Sequence, residues 1–401
     1  MKGEHLFGVG LQIARILKDI RKRAFLHRQD LVPFPRFGQD GVSGLAIFPV
    51  LTETPPMPLP AWKKILVVDL GFLGDTVHSI PAIRALANCG AEVDVMTTPV
   101  GSEVLSMVSE VHRVWVTPLR KPSPPWWKGL YQLCQIRRQN YDSALTFSGA
   151  DRNLFCVAFS GAQERIAAVQ RERWWQGLLP LTKIISAPFK NRPLFRQKME
   201  TLKALGWPGD AAGLSLKISA NPQKKDLSSF SHPTVYLSVS AYGSPHKEWS
   251  LKSWADMMRS VWEKRPEINF LVGFAPNQRE EERARELAQL VGNSPSLQIL
   301  DTPNSLAELA LILRQTVCFA GLDSGLLHLA IALGRPTVSI FRDYTGKAEW
   351  APEGQTHRVL SRFCSCHRDK VDRCGEEPLC LAAVTPQEVS DALLELLHSP
   401  A

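Results

Sequence analysis

Three short segments of this 401-residue chain combine small residues with side chains that can accept a proton or hold an anion. The first is Gly71-Phe-Leu-Gly74-Asp75, whose glycines permit a tight turn and whose carboxylate is a candidate general base. His78 falls on the same helix face, where it would contact a ligand or Asp75. Two simpler interpretations stay open: Asp75 as a helix N-cap, and His78 as a satisfied buried histidine.

The second segment is Gly321-Leu-Asp323-Ser324-Gly325-Leu-Leu-His328. It joins a predicted strand to a helix, so free backbone N–H groups and the positive end of the helix dipole are available to bind a diphosphate. The Ser324 hydroxyl adds a donor, and Gly325 and His328 are placed with the same anion site. Asp323 is either a structural cap or a contact to a hydroxylated group.

The third segment, Ser240-Ala-Tyr-Gly243-Ser-Pro-His246-Lys247-Glu-Trp249, follows another predicted strand. His246 and Lys247 would project toward the same cleft as the other two segments, and an ammonium neutralises a phosphate as a point charge. A solvated surface lysine is the alternative. The sequence lacks a dinucleotide fingerprint and a Walker A loop, because Leu73 replaces the second glycine and no Gly-Lys-Ser/Thr follows.

Short apolar runs alternate with helical patterns on both sides of an irregular stretch near residues 206–232. Strands buried on both faces of a parallel sheet have this composition. We therefore predict an α/β protein with two Rossmann-like, doubly wound domains facing across a cleft, at residues 61–232 and 233–401. All three segments follow predicted strands, at the edge where such sheets bind ligands. The predicted strands are Lys64–Leu70, Glu92–Thr97, Ser143–Phe147, Thr234–Val239, Ile268–Val272, Leu297–Leu300, Thr316–Ala320 and Thr337–Phe341.

The first 60 residues differ from this pattern. Residues 5–28 have apolar positions at helical spacing and basic residues between them, which predicts an amphipathic helix. It would bind a membrane surface or a partner, or pack on the protein's own surface. Seven prolines between residues 31 and 60 predict an extended connector.

In their order and spacing, the three segments resemble glycosyltransferase family 9, the heptosyltransferase family. The resemblance rests on three stretches of sequence: I-L-V-V-D-L-G-F-L-G-D-T-V-H-S-I-P-A-I-R-A-L from Ile65, H-K-E-W-S-L-K-S-W-A from His246 and G-L-D-S-G-L-L-H-L-A-I-A-L-G-R-P-T-V-S-I-F from Gly321. The resemblance covers about residues 61–395 and implies the two-domain GT-B fold.

The resemblance implies that Asp75 is the general base, that Lys247 contacts the donor phosphate, and that Asp323, Ser324 and Gly325 hold the diphosphate and sugar. The ribose contact falls on Gln278 or Glu280, which leaves the nucleotide open. The implied activity is inverting transfer of a sugar, with ADP-heptose as the first donor to test, to an anionic envelope glycan such as a lipopolysaccharide core. No cofactor is required. The alternatives are a protein heptosyltransferase and a non-catalytic nucleotide-sugar or lipid-binding module.

Charge is concentrated in one region. The chain carries +8 overall, yet residues 111–203 alone carry net +11 and include the pairs Trp126–Trp127 and Trp174–Trp175. Basic residues beside tryptophans suit anionic headgroups, so we expect the first domain to meet a glycolipid acceptor at the inner leaflet of the membrane. No nucleic-acid-binding signature accompanies the charge. With no apolar run long enough to span a bilayer and no secretory signal, the expected location is cytoplasmic, peripheral to the inner membrane.

Four cysteines, Cys364, Cys366, Cys374 and Cys380, lie within 17 residues with His367 among them. Four thiolates this close bind zinc or iron in other proteins, although this spacing is not a standard zinc-ribbon pattern. Some members of the family that heptosylate proteins carry an iron-binding cysteine cluster at this end. Reduced structural thiols are the alternative.

Overall fold

Apolar runs rich in Val, Ile and Leu form two parallel six-stranded sheets, both within the compact unit that spans residues 56–401. The computed structural model describes residues 61–118, 126–170, 173–186, 191–207, 232–242, 244–292, 294–301, 303, 305–364 and 379–398. The predicted helix at residues 5–28 and the connector after it lie outside the described residues.

The first sheet has the strand order β3-β2-β1-β4-β5-β6, with every pairing parallel. Its strands are β1 (Lys64–Asp69), β2 (Glu92–Thr97), β3 (Arg113–Val116), β4 (Ser143–Thr146), β5 (Glu164–Val169) and β6 (Lys183–Ser186). The helices around it are α1 (Leu73–Val77), α2 (Ile80–Asn88), α3 (Pro99–Leu105), α4 (Trp126–Arg137), α5 (Asp151–Ala158) and α6 (Leu194–Lys203). Successive side chains of the central strand enter opposite layers, with Ile65 and Val67 in one core cluster and Leu66 and Val68 in another.

The second sheet repeats the same topology, in the order β12-β11-β10-β7-β8-β9. Its strands are β7 (Thr234–Ser238), β8 (Asn269–Val272), β9 (Leu297–Ile299), β10 (Cys318–Leu322), β11 (Thr337–Ile340) and β12 (His357–Leu360). The helices are α7 (Leu251–Lys264), α8 (Gln278–Val291), α9 (Leu306–Gln315), α10 (Gly325–Ala332), α11 (Lys347–Trp350), α12 (Leu379–Ala382) and α13 (Pro386–His398). Among the described residues, no helix combines the length and the apolarity needed to cross a bilayer.

The prediction of two doubly wound sheets that face each other is confirmed. The turns after β1 and β10 meet, because a Cβ built on Gly325 would stand only 2.8 Å from the Cβ of Leu73. Further hydrogen bonds link the halves, from the Leu306 N–H to Glu103 at 2.8 Å and from Arg196 to Glu353 at 3.1 Å. The ligand-binding edges of both sheets therefore border one region.

One predicted helix is two helices in the structure. The sequence pattern predicts one helical stretch that follows the Gly71–Asp75 turn and runs through Ala87, but α1 ends at Val77 and α2 begins at Ile80. Pro81 lacks an N–H and its ring clashes with the carbonyl four residues earlier, so a continuous helix would be broken here. The break places His78 as the C-terminal cap of α1, with its backbone N–H donating to the Gly74 carbonyl.

Candidate active site

The turn after β1 presents Asp75 in the first turn of α1. Phe72 is the N-cap, and the Asp75 carboxylate accepts a hydrogen bond from the Phe72 N–H at 2.9 Å. Asp75 is not the N-cap residue itself, but its carboxylate satisfies the backbone N–H of the N-cap, Phe72. That bond uses Oδ2, and among the described residues no hydrogen bond is made to Oδ1. Gly71 is required at this turn because a Cβ there would stand 2.3 Å from the Asp75 Cβ.

A buried charged cluster supports this turn. Lys198 reaches across from α6 and donates to the Asp75 carbonyl at 2.8 Å and to the Ser79 hydroxyl at 2.6 Å. Its Nζ also lies 3.6 Å from Asp69 Oδ2, the carboxylate oxygen to which Ser79 donates. Burial raises the pKa of the Asp75 carboxyl, the Asp69 charge raises it further, and Lys198 opposes both. A raised pKa makes a carboxylate a stronger base near neutral pH.

His78 and His328 form a buried pair between the two halves. Their Nε2 and Nδ1 atoms lie 3.1 Å apart, and the Phe195 N–H donates to His78 Nδ1 at 3.2 Å. Burial lowers the pKa of His78 well below 6.5 and that of His328 to about 4, so both rings are neutral at pH 7. With His78 Nδ1 accepting, the proton of His78 resides on Nε2 and donates to His328, whose own proton is then on Nε2.

In that tautomer the Nε2–H group of His328 is a hydrogen-bond donor buried between the two halves. Among the described residues no partner reaches His328 Nε2. Gly74 is the residue that permits the packing, since a Cβ there would stand 3.0 Å from the His328 ring and 3.2 Å from Trp350. His78 is therefore a satisfied buried histidine, as its simpler interpretation predicts. His328 bridges the halves behind the anion segment.

Lys247 and Asp323 meet at the C-terminal edge of the second sheet. Lys247 Nζ donates to Asp323 Oδ2 at 2.7 Å, and the Tyr344 hydroxyl donates to the same oxygen at 2.9 Å. Burial and the Asp323 charge raise the pKa of Tyr344, which keeps the phenol a donor. The ammonium lies 5.4 Å from the centre of the Tyr344 ring, a distance that suits a cation–π contact. The structure thus joins the second and third segments of the sequence directly.

Glu248 fixes the loop that carries Lys247. This buried carboxylate accepts from the Ala241 N–H at 2.9 Å, from Arg279 at 2.9 Å and ion-pairs with Arg283 at 3.2 Å. Glu248 therefore links the two ends of the segment between β7 and α7, and two arginines of α8 hold its carboxylate. The lysine projects from an anchored loop, which limits its freedom before any ligand arrives.

The N-terminus of α10 has the features of an anion site. Ser324 is its N-cap, and among the described residues the buried Ser324 hydroxyl has no hydrogen-bond partner. The first N–H groups of an eight-residue helix follow it, unsatisfied by the helix itself. Together with Lys247, these donors can hold two phosphate groups and stabilise the charge on a leaving diphosphate.

The segment after β8 separates the two candidates for the ribose contact. Glu280 is buried at the start of α8 and accepts from the Ala275 N–H at 3.0 Å. Gln278 donates along the helix surface to Glu282 at 2.7 Å. Glu280 is thus committed to a buried loop contact and Gln278 to the helix surface, and the choice between them as the ribose contact stays a prediction.

The cysteine cluster does not present four thiolates. Cys364 is disulfide-bonded, and a disulfide sulfur is not a thiolate ligand. Cys380 is a free, buried cysteine, whereas Cys366 and Cys374 lie outside the described residues. The expectation of reduced structural thiols is wrong for Cys364. The predicted zinc or iron site stays a prediction, because only two of its four cysteines are described.

Sequence reasoning missed Lys198, Glu248 and Tyr344. One signal was available for Lys198, which lies four residues before the buried Leu202 and so shares the inward face of α6. A charge on an apolar helix face indicates a buried partner. Glu248 and Tyr344 had no comparable signal, because their partners are set by tertiary contacts.

Comparisons with known proteins agree with this geometry. The model of glycosyltransferase family 9 (heptosyltransferase) matches residues 132–379. Lipopolysaccharide heptosyltransferase 1 of Pseudomonas aeruginosa is 25% identical over 378 residues, which cover 84% of this chain and 99% of that protein.

Solved structures share the fold. ADP-heptose lipopolysaccharide heptosyltransferase II of Escherichia coli superposes with a TM-score of 0.66 at 18% identity, covering 83% of this chain and 98% of that one. A heptosyltransferase of E. coli solved with ADP-2-deoxy-2-fluoro heptose superposes with a TM-score of 0.63 at 19% identity, covering 83% of this chain and 99% of that one. The two facing sheets are thus those of the GT-B fold.

Proposed function

The chain belongs to glycosyltransferase family 9, the heptosyltransferases, and from that premise we propose that it moves a heptose from ADP-heptose to a lipopolysaccharide core with inversion. The observation that carries the proposal is the meeting of two loops. The turn with the candidate base and the helix N-terminus with the candidate phosphate donors touch through Leu73 and Gly325. A donor held at α10 would therefore lie beside Asp75.

The proposed reaction is a single displacement. Asp75 takes the proton of an acceptor hydroxyl as that oxygen forms a bond to the anomeric carbon. The bond from that carbon to the diphosphate oxygen breaks, and its electron pair leaves with ADP. Lys247 and the N–H groups at Ser324 and Gly325 stabilise the new charge, so the protein supplies the stabilisation that a metal supplies elsewhere.

Relatives support the choice of substrates. Relatives in Pseudomonas aeruginosa and Escherichia coli are named lipopolysaccharide heptosyltransferases, and an E. coli heptosyltransferase of the same fold was solved with an ADP-heptose analogue. The protein-acceptor alternative depended on a thiolate cluster. The structure describes only Cys364, which is in a disulfide, and Cys380 of that cluster, so the acceptor panel below includes a polypeptide to test this alternative.

A donor and acceptor panel tests the proposal. Purified protein is given ADP-heptose, ADP-glucose or UDP-glucose with heptose-free lipopolysaccharide or with a bacterial surface polypeptide, and nucleoside-diphosphate release is measured. We expect rapid, acceptor-dependent release only with ADP-heptose and the glycolipid. NMR of the product should show the anomeric configuration opposite to that of the donor. Release with the polypeptide alone, or retention of configuration, would contradict the proposal.

We further propose that the protein works at the inner face of the membrane, docked through an aromatic face on the first sheet. This face consists of Trp127, Leu130, Tyr131, Phe155, Phe159 and Leu178, which are between 42% and 62% exposed. Its helices α4 and α5 cover the same side of the sheet, since Ile136 and Val157 share one core cluster. Exposed apolar side chains in such numbers mark interaction surfaces.

Basic side chains near the aromatic face indicate that its partner is anionic. Four exposed basic residues lie on α4 and α5 or next to them in the chain, Lys128, Arg137, Arg138 and Arg152, and a fifth, Arg173, is paired with Asp151 of α5 at 2.8 Å. Phe155 stacks on both Phe159 and Trp175, and Arg173 lies 5.9 Å from the Trp175 ring centre. Each basic side chain near an anionic leaflet contributes about 1 kcal/mol of attraction. An anionic phospholipid surface, on which a glycolipid acceptor would be anchored, matches both features.

Vesicle flotation tests the docking face. We expect the protein to float with phosphatidylglycerol vesicles, to bind phosphatidylcholine vesicles weakly, and to dissociate as salt rises. Trp127→Ser combined with Tyr131→Ser should reduce the bound fraction severalfold, because both exposed rings are lost. Leu290→Ser, at an exposed apolar position on α8, is the matched control and should bind normally. Flotation that ignores anionic lipid would contradict the proposal.

A further inference from the structure

Lys198 is a buried cation next to the candidate base. Only 5% of the residue is exposed, and its ammonium makes three polar contacts, with the Asp75 carbonyl, the Ser79 hydroxyl and the Asp69 carboxylate. These groups come from β1, α1 and the α1–α2 junction, more than a hundred residues away in the chain. One side chain of the sixth helix therefore holds together the whole turn that presents Asp75.

Stability alone does not account for a lysine here. Removing an ammonium from water costs several kcal/mol, and a buried ion pair is often no more stabilising than apolar residues of the same size. α6 already packs through Met199 and Leu202, which belong to the main core cluster. The ammonium adds a positive charge and a hydrogen bond to the backbone carbonyl of Asp75, the candidate base.

We propose that Lys198 is a positioning residue for Asp75: it holds the base through its backbone carbonyl and offsets the negative charge of Asp69. The proposal rests on the proposed role of Asp75 as the general base. In this arrangement two carboxylates and one ammonium share a buried site. Asp69 makes Asp75 a stronger base, and Lys198 keeps it ionised until the acceptor hydroxyl arrives.

Asp69 and Lys198 are the charged side chains that set the pKa of Asp75. Two titratable side chains lie beside this turn, His78 at the end of α1 and His328 on α10 against Gly74, and burial lowers the pKa of both so that they are neutral at pH 7. The charges that act on the Asp75 carboxyl are those of Asp69 from β1 and Lys198 from α6. Changing either charge should therefore move the titration of the base, and in opposite directions.

The pH dependence of kcat/KM tests this directly. Activity needs ionised Asp75, so the acid limb of the profile reports its pKa. Lys198→Met removes the favourable charge, and the acid limb should move to higher pH by about one unit; Asp69→Asn removes the like charge and should move it to lower pH. The double variant should lie between them. Lys198→Arg keeps the positive charge, so its pH profile should stay close to that of the unmodified protein.

Controls separate this proposal from simpler outcomes. Lys203→Met removes an exposed lysine from the same helix and should leave the profile unchanged. If Lys198→Met does not fold, Lys198→Gln keeps a side-chain donor without the charge and should shift the acid limb in the same direction. Profiles that superimpose, or shifts in the same direction, would overturn the role of Lys198. Full activity in Asp75→Asn would instead refute the general base on which it rests.

Discussion

Asp75→Asn should lower kcat at least ~10²-fold, the usual contribution of a positioned general base, while ADP still binds. The amide is the size of the carboxylate and its oxygen still accepts from the Phe72 N–H, so the cap of α1 survives. What is lost is the basic oxygen that takes the acceptor proton. Single-turnover kinetics with ADP-heptose measure the chemical step, and calorimetry with ADP measures binding.

Asp75→Ala distinguishes catalysis from capping. It removes both the base and the bond to the Phe72 N–H, so a role in capping alone would make Ala inactive and Asn active. We expect both variants to be inactive. Asp142→Asn is the matched control, because Asp142 accepts from the Lys63 and Lys64 N–H groups at 2.7 and 2.9 Å at the other end of β1. It should retain activity.

Strand positions followed from the sequence because central strands of a doubly wound sheet are apolar on both faces. Glu92–Thr97 is a strand at the predicted bounds, and Lys64–Leu70 differs by one residue. Thr316–Ala320 is displaced to Cys318–Leu322, so the anion segment begins inside β10. Edge strands such as β3 and β6 are half-exposed and short, and their composition carries too little signal to predict them.

The site was predictable to the extent that it is local in sequence. Asp75, Ser324 and Gly325 follow strands, and strand ends are where this fold binds ligands. The contacts that adjust these residues are not local. Lys198 lies 123 residues from Asp75, and Tyr344 lies 21 residues from Asp323. Only the closure of helices onto the sheets brings them together, so their roles required the structure.

The resting contact of Lys247 has a consequence for donor binding. Its ammonium is paired with Asp323, yet the proposed mechanism needs it on the donor phosphate. A diphosphate that arrives at α10 brings about two negative charges to a half-buried lysine, against the single charge of the Asp323 carboxylate. Binding should therefore draw the ammonium from the carboxylate. Asp323 then keeps the Tyr344 hydroxyl as its donor and can accept from a sugar hydroxyl.

Lys247→Met should accordingly lower kcat/KM for ADP-heptose by about 10²- to 10³-fold, as the loss of one stabilising donor does elsewhere. Affinity for ADP should fall as well, because the charge acts on the ground state too. Lys252→Met removes an exposed lysine at the second residue of α7 and serves as the control. Lys247→Arg keeps the charge with a different geometry and should recover binding better than turnover. If Lys247→Met binds ADP and turns over normally, the lysine is only the ion-pair partner of Asp323, and the N-terminus of α10 must hold the diphosphate alone.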